Sequence, residues 1–271
     1  VSRWLRRVFL TVIVVFILAP LVIVLVASVS TDEVLSGWPS GLTTRWLSEA
    51  LGYEQFRVGF VYSVRVAAIA TAWSVLLGTS AAYAIHRFDV PGAAFLRTVF
   101  IAPLSMPRVV VGFCFFVLYA SLVPAAYGTV GGVAFGHILL LLPFVVSLVG
   151  AGLANLDPEL EEAARDLGAS PLKTFLRVTL PQIRASLIIA VVFGFLTSFD
   201  EVDLSVFLMP ADTTTLPVAI FLRLQQNQDP TTSAVSSLMI IGSLLLAGFV
   251  ALAGRRAGLF AAPKRKEERT T

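Results

Sequence analysis

The sequence predicts an all-α membrane protein of about six transmembrane helices, with both termini in the cytoplasm. Three observations carry this reading. The 271 residues are 57% hydrophobic and only 14% charged. The mean hydropathy is +0.86, far from the range of a soluble domain. The apolar residues also gather into runs of about 18 or more, the length a helix needs to cross a bilayer. The runs are Val8–Ser30, Phe60–Ile85, Phe95–Val123, Val130–Leu153, Ala185–Leu208 and Ser233–Gly254. With their loops they use nearly all of residues 1–271, so the chain reads as a single membrane domain.

The first run follows Arg3, Arg6 and Arg7, as a signal peptide would. Its apolar core is longer than the roughly 7–15 residues of such a signal, so it reads as a retained helix. The second run carries Arg65 near its outer end. The third contains Pro103, Pro107 and Arg108, and its membrane part is expected to begin either at Phe95 or nearer Ile101. Its prolines remove backbone donors in mid-span. Such breaks survive where the backbone is buried in protein or lines a cavity, either as a hinge or, more simply, as a static kink. The fourth opens with Gly128, Gly132 and Gly136 at every fourth position, a spacing that suits close helix contact. The fifth ends on Asp200, Glu201 and Asp203. The sixth runs into a basic tail with Arg255, Arg256, Lys264, Arg265, Lys266 and Arg269.

Orientation follows from where Lys and Arg flank these runs. The amino terminus, the tail and the Ala84–Arg97 loop are basic. The Thr31–Gly59 loop holds Arg45 and Arg57 against Asp32, Glu33, Glu49 and Glu54. Met209–Thr232 holds only Arg223, and Ser121–Gly131 has no basic residue. Both termini therefore fall on the cytoplasmic side. The pI of about 9.3 reflects this asymmetry. The basic tail reads as a topology signal facing anionic membrane lipid, with no nucleic acid among the expected partners.

A single cysteine, Cys114, allows no disulfide within the chain. His86 and His137 stand apart, so no metal site is expected. No Gly-rich phosphate loop is present, because none of Lys173, Lys264 and Lys266 follows a glycine. No paired catalytic constellation appears among the few polar residues, so the chain is not expected to be an enzyme.

One segment departs from this pattern. Between Asp157 and Arg184 fall nine charges, in the cytoplasmic loop 155–184 that joins the fourth and fifth runs. Asp157 can cap a short helix with Pro158 at its first position. Glu159, Glu161 and Glu162 suit its first turns, where the helix dipole favours acids. Leu160, Ala163, Ala164 and Leu167 form an apolar stripe. Gly168 can stop that helix in a left-handed turn. Ser170 and Pro171 repeat the start signal for a second helix, with Leu172, Phe175, Leu176 and Val178 as its stripe. Pro181 marks another break. A bare connection needs only a few residues. This loop is long and capped, so it reads either as a connector or as an amphipathic element offered to a partner's groove.

Glu162, Ala163, Ala164, Gly168, Val178, Leu180 and Pro181 resemble the EAA loop of ATP-binding-cassette (ABC) importer permeases. That pattern is Glu-Ala-Ala, three residues, Gly, nine residues, Ile, any residue, Leu-Pro; only Val178 departs from it. The segments Ser63–Phe88, Ala102–Phe113, Ser198–Leu208 and Thr215–Leu224 extend the resemblance over nearly the whole chain. Within the family it is nearest the smaller permease of spermidine/putrescine-type importers. The resemblance implies that the loop is a coupling helix seated in a cleft of a separate ATPase. Glu162 and Arg165 would contact the ATPase, Ala163 and Ala164 would allow close approach, and Gly168 would set the bend. It also implies the partners: two ATPase subunits that bind ATP and magnesium, a second and different permease, and an extracytoplasmic solute-binding protein. The expected location is a prokaryotic inner membrane.

The intramembrane charges leave two readings. Ionisable residues in a span are costly and mark function by default. Ala185 to Phe199 gives roughly 22 Å of helix against a core of roughly 30 Å, so the acids lie in the outer part of the span. Thr197, Asp200 and Asp203 are expected on one helical face at spacing three, with Glu201 turned away. They either line a wet path for a cationic solute or are neutralised by Arg65 and Arg108. A permease for another amino compound, a phosphonate or iron is the alternative within the class. A secondary transporter would show internal repeats with broken helices, which are not evident.

Overall fold

α1 (Arg3–Ala27) starts within the basic cluster and runs the length of the first apolar segment. The fold is described from a computed structural model over residues 3–33, 39–88, 91–210, 213–226 and 229–256. The tail residues Lys264, Arg265, Lys266 and Arg269 lie outside these described residues. After α1 come α2 (Arg45–Gly52) and α3 (Glu54–Arg87). α3 has 34 residues, about 51 Å of helix. That is longer than the roughly 30 Å a perpendicular span of the hydrocarbon core requires.

The expected third span is two helices rather than one. α4 (Ala93–Ile101) passes into a 3₁₀ turn at Ala102–Ser105, and α5 (Arg108–Leu122) follows. The axis turns by 103° between Thr98–Ser105 and Arg108–Leu122. Pro103 and Pro107 supply the cause. Pro107 disfavours helical backbone at the residue before it, and Met106 is extended at φ −94° and ψ 136°.

α6 (Val130–Ala154) matches the fourth run. The loop then forms α7 (Pro158–Asp166), α8 (Pro171–Thr174), a π-helical turn at Phe175–Thr179 and α9 (Leu180–Gln182). α10 (Arg184–Phe199) stops well before the expected Leu208. A short link leads to α11 (Ser205–Leu208), and α12 (Leu216–Gln226) and α13 (Thr231–Arg256) complete the chain. Among the described residues four helices are long and apolar enough to cross a membrane; each of two bent pairs adds another if read as one broken span.

The Cα positions group into two compact units. The first comprises Val1–Arg65, Gly112–Val133 and Asp200–Leu244. Aromatic and hydroxyl side chains make several of its long-range bonds. The Trp46 indole N–H donates to the Ser30 carbonyl at 2.8 Å, and the Tyr62 and Tyr119 hydroxyls donate to the carbonyls of Gly128 (2.9 Å) and Gly132 (2.8 Å). The Leu216 N–H donates to Ser63 Oγ at 2.9 Å. Gly128 sits at φ +71° in the turn before α6. Of the three evenly spaced glycines it therefore serves the turn, not a helix face.

The second unit comprises Val66–Val111, Ala134–Phe199 and Leu245–Thr271. Its core is Ala82, Val145, Val149, Leu153, Leu156, Ile183 and Ala190. Gly78 on α3 meets α6 closely: a Cβ there would lie 2.7 Å from Val145 Cγ1. His137 is buried within this unit, its Nδ1 2.7 Å from Ser198 Oγ.

Candidate coupling loop and solute path

α7 forms where the capping residues place it. Asp157 accepts the Glu159 N–H at 3.1 Å, with Pro158 in the first turn. Such a cap satisfies a backbone donor the helix cannot. α7 ends at Gly168, which takes φ +82°. The Gly168 N–H donates to the Arg165 carbonyl at 2.8 Å and the Ala169 N–H to the Ala164 carbonyl at 3.0 Å. These bonds satisfy the last carbonyls of the helix. Ser170 then caps the next helix, accepting the Lys173 N–H at 3.4 Å.

Glu162, Ala163, Arg165 and Gly168 are exposed, Ala164 is half-buried, and Pro181 is exposed on α9. The first five share α7 and its stop, so the structure gathers them on one short helix. Leu160 and Leu172 also face out, and Leu167 is 90% exposed. Pro181 does not itself end its helix. The π-helical turn Phe175–Thr179 comes just before it, and the axis turns by 74° between Pro171–Gln182 and Arg184–Phe199. Proline takes no hydrogen bond at its nitrogen and crowds the carbonyl four residues back. The wider turn is where the helix yields to it.

Sequence reasoning assigns Glu161, which lies beside the motif, no role beyond that of an acid in the first turns. It is 2% exposed, although it sits on a short helix with exposed Glu159 and Glu162. Thr179 Oγ1 donates to its Oε1 at 2.7 Å. Arg87 Nε, at the last residue of α3, lies 3.0 Å from Oε2. That nitrogen is off the hydrogen-bonding direction, so the contact is an ion pair rather than a hydrogen bond. Arg87 Nη2 donates to the Leu153 carbonyl on α6 at 3.5 Å. Arg165 Nη2 stands 3.7 Å from Oε2. One turn before Arg87, the Tyr83 ring meets Phe175 edge-on, with centroids 4.8 Å apart. The available signal was a basic residue closing a long apolar helix and an acid on a short one; nothing in the spacing pairs them.

The expected acidic face on the fifth helix does not form. α10 ends at Phe199, so Asp200, Glu201 and Asp203 occupy the link to α11. Thr197, Asp200 and Asp203 therefore do not share a helical face. Thr197 is half-buried in the last turn of α10, and Asp200 and Asp203 are exposed. Glu201 is 2% exposed, and its Oε1 accepts the Leu204 N–H at 3.0 Å. That bond closes a local turn in the link before α11. Arg65 on α3 and Arg108 at the start of α5 are both exposed.

The family described as binding-protein-dependent transport system inner membrane component matches residues 74–258. The chain is 32% identical over 259 residues to the putrescine transport system permease protein PotI of Escherichia coli (strain K12), covering 92% of this chain and 90% of that one. It is 26% identical over 247 residues to the spermidine/putrescine transport system permease protein PotC of the same strain, covering 91% and 92%. Among solved structures it resembles a chain of a bacterial alginate ABC transporter in complex with an alginate pentasaccharide-bound periplasmic protein. The TM-score is 0.73 at 16% identity, covering 94% of this chain and 95% of that one.

Proposed function

This chain belongs to the family of binding-protein-dependent transport system inner membrane components, and on that premise we propose that it forms part of the path of an importer for polyamines such as putrescine and spermidine. It is the permease subunit of an ABC importer, not an enzyme. The observation that carries the solute is the likeness to two polyamine permeases, each over nine-tenths of this chain. The exposed carboxylates Asp200 and Asp203 support it, because a wet acidic patch attracts an organic dication.

In this reading the chain crosses a prokaryotic inner membrane six times, with both termini in the cytoplasm, and residues 1–271 form one permease domain. The loop 155–184 docks on an ATPase through Glu162, Ala163, Ala164 and Arg165, with Gly168 and Pro181 setting its shape. Two ATPase subunits bind ATP and magnesium. A second, different permease completes the path, and an extracytoplasmic binding protein delivers the solute. The capped, outward-facing α7 supports the docking role.

The experiment is uptake of radiolabelled putrescine and spermidine by cells with and without this chain, the partner subunits being present in both. Uptake of at least one polyamine should fall at least tenfold without it. Unchanged uptake of both would remove the polyamine reading while leaving the permease assignment standing.

A further inference from the structure

Most of the loop is open to a partner, but its inner side meets α3 at two points, and a third contact ties its two short helices together. Glu161 on α7 faces Arg87 at the end of α3. Tyr83 on the same end of α3 meets Phe175 on the loop's second helix. Glu161 and Thr179 bind the two loop helices to each other. Arg87 also reaches the last turn of α6 through the Leu153 carbonyl, where a cation complements the helix dipole. The closed arrangement ties α7, the second loop helix and the end of α3 to one another. The side chains of Arg87 and Glu161 are 11% and 2% exposed, so solvent and salt screen the pair little.

We propose that Arg87 and Glu161 are the positioning residues of a rigid joint that passes displacement of the loop to α3. The joint rests on the permease reading above. It assigns the neighbouring acids different tasks: exposed Glu162 faces outward, and buried Glu161 transmits. A loop held only by its covalent ends could move on its docking partner without carrying α3 along. The charge pair removes that freedom, because separating it strands a buried carboxylate.

The test uses the full complex with its ATPase in liposomes, in a Cys114→Ala background, since Cys114 is the single cysteine and is exposed. Nitroxide labels are placed singly at Leu167→Cys on the loop or Leu77→Cys on α3, positions 90% and 45% exposed. Spectra are recorded with and without ATP and vanadate, so no solute is needed. In the parent, both labels should respond. The Arg87→Met, Glu161→Gln double variant keeps size and the acceptor for Thr179 but removes both charges. It should still bind the ATPase, and the Leu167 label should still respond, while the Leu77 response should fall at least fivefold. Arg87→Lys should restore part of it. A double variant in which both labels respond as in the parent overturns the joint. Should that variant fail to assemble, Thr179→Val, which removes one bond to Glu161, should reduce the Leu77 response at least twofold; an unchanged response there also overturns the joint. A silent Leu167 label in the parent would instead sink the coupling reading, and the joint with it.

Discussion

Asp200 and Asp203 are the residues on which the cationic solute path is most exposed to test. Replacing either by Asn keeps shape and removes charge. In partly wet surroundings each charge is worth on the order of 1 kcal/mol to an ammonium group about 4 Å away. Uptake of putrescine at limiting concentration should therefore fall several-fold in each variant, with the complex still assembled. Normal uptake would remove the acids from the path. Glu201→Ala should behave differently, because it strands the buried Leu204 N–H. An unsatisfied buried donor costs about 1–3 kcal/mol, so the variant should lower the yield of assembled complex, measured by co-purification with the ATPase. The sequence sets Glu201 apart from Asp200 and Asp203 by helical angle alone. Glu201 is buried where it accepts the Leu204 N–H, a contact that no periodicity displays.

At the scale of elements, α7 and its stop were legible almost residue by residue. Asp157, Pro158, Gly168 and Ser170 act locally, and local chemistry is what a sequence writes out. Gly168 gives a sharp prediction. A Cβ at this position would meet nothing within 4 Å, so φ alone restricts the site. Gly168→Val should cost on the order of 1 kcal/mol or more and uncouple ATP hydrolysis from uptake. Gly168→Asn, which tolerates left-handed backbone, should retain most coupling. Equal loss in both variants would place the requirement on space at the docking surface rather than on backbone shape. The elements that were not legible fail for different reasons. α12 has 11 residues, too few for a span, yet Leu216 to Ala219 are buried by tertiary packing. The third run reads as one kinked span because its residues on both sides of Pro103 and Pro107 are mostly apolar and hydropathy is blind to direction. The Arg87–Glu161 pair depends on contact between residues far apart in the chain, and a single sequence carries no such information.

For the molecule as a whole, orientation is the first property to test. A reporter active only outside the cytoplasm should be active when fused after Gly41 or Gln226 and silent after Ser170 or Lys266. Activity after Ser170 would put α7 on the wrong side for an ATPase. Salt offers a second check on how the loop is held. The buried pair should outlast surface charges, because salt screens charges through solvent and reaches buried pairs much less. ATPase association that is lost in high salt, with the Leu77 and Leu167 labels keeping their parental spectra, would separate docking from the integrity of the loop.

The buried setting of Glu161 also orders events during synthesis. Arg87 leaves the ribosome first, and the Leu153 carbonyl it reaches follows 66 residues later. Thr179, which completes the cage, emerges 18 residues after Glu161 itself. Until then the carboxylate is better left in water, because burial without its partners is costly. The nascent loop must therefore wait, hydrated, while α3 and α6 are already being inserted, and it can close only after its second helix is made. A chain interrupted before Thr179 would carry α1 to α7 but neither the finished loop nor α10 and α13, and its Glu161 carboxylate would still lie in water.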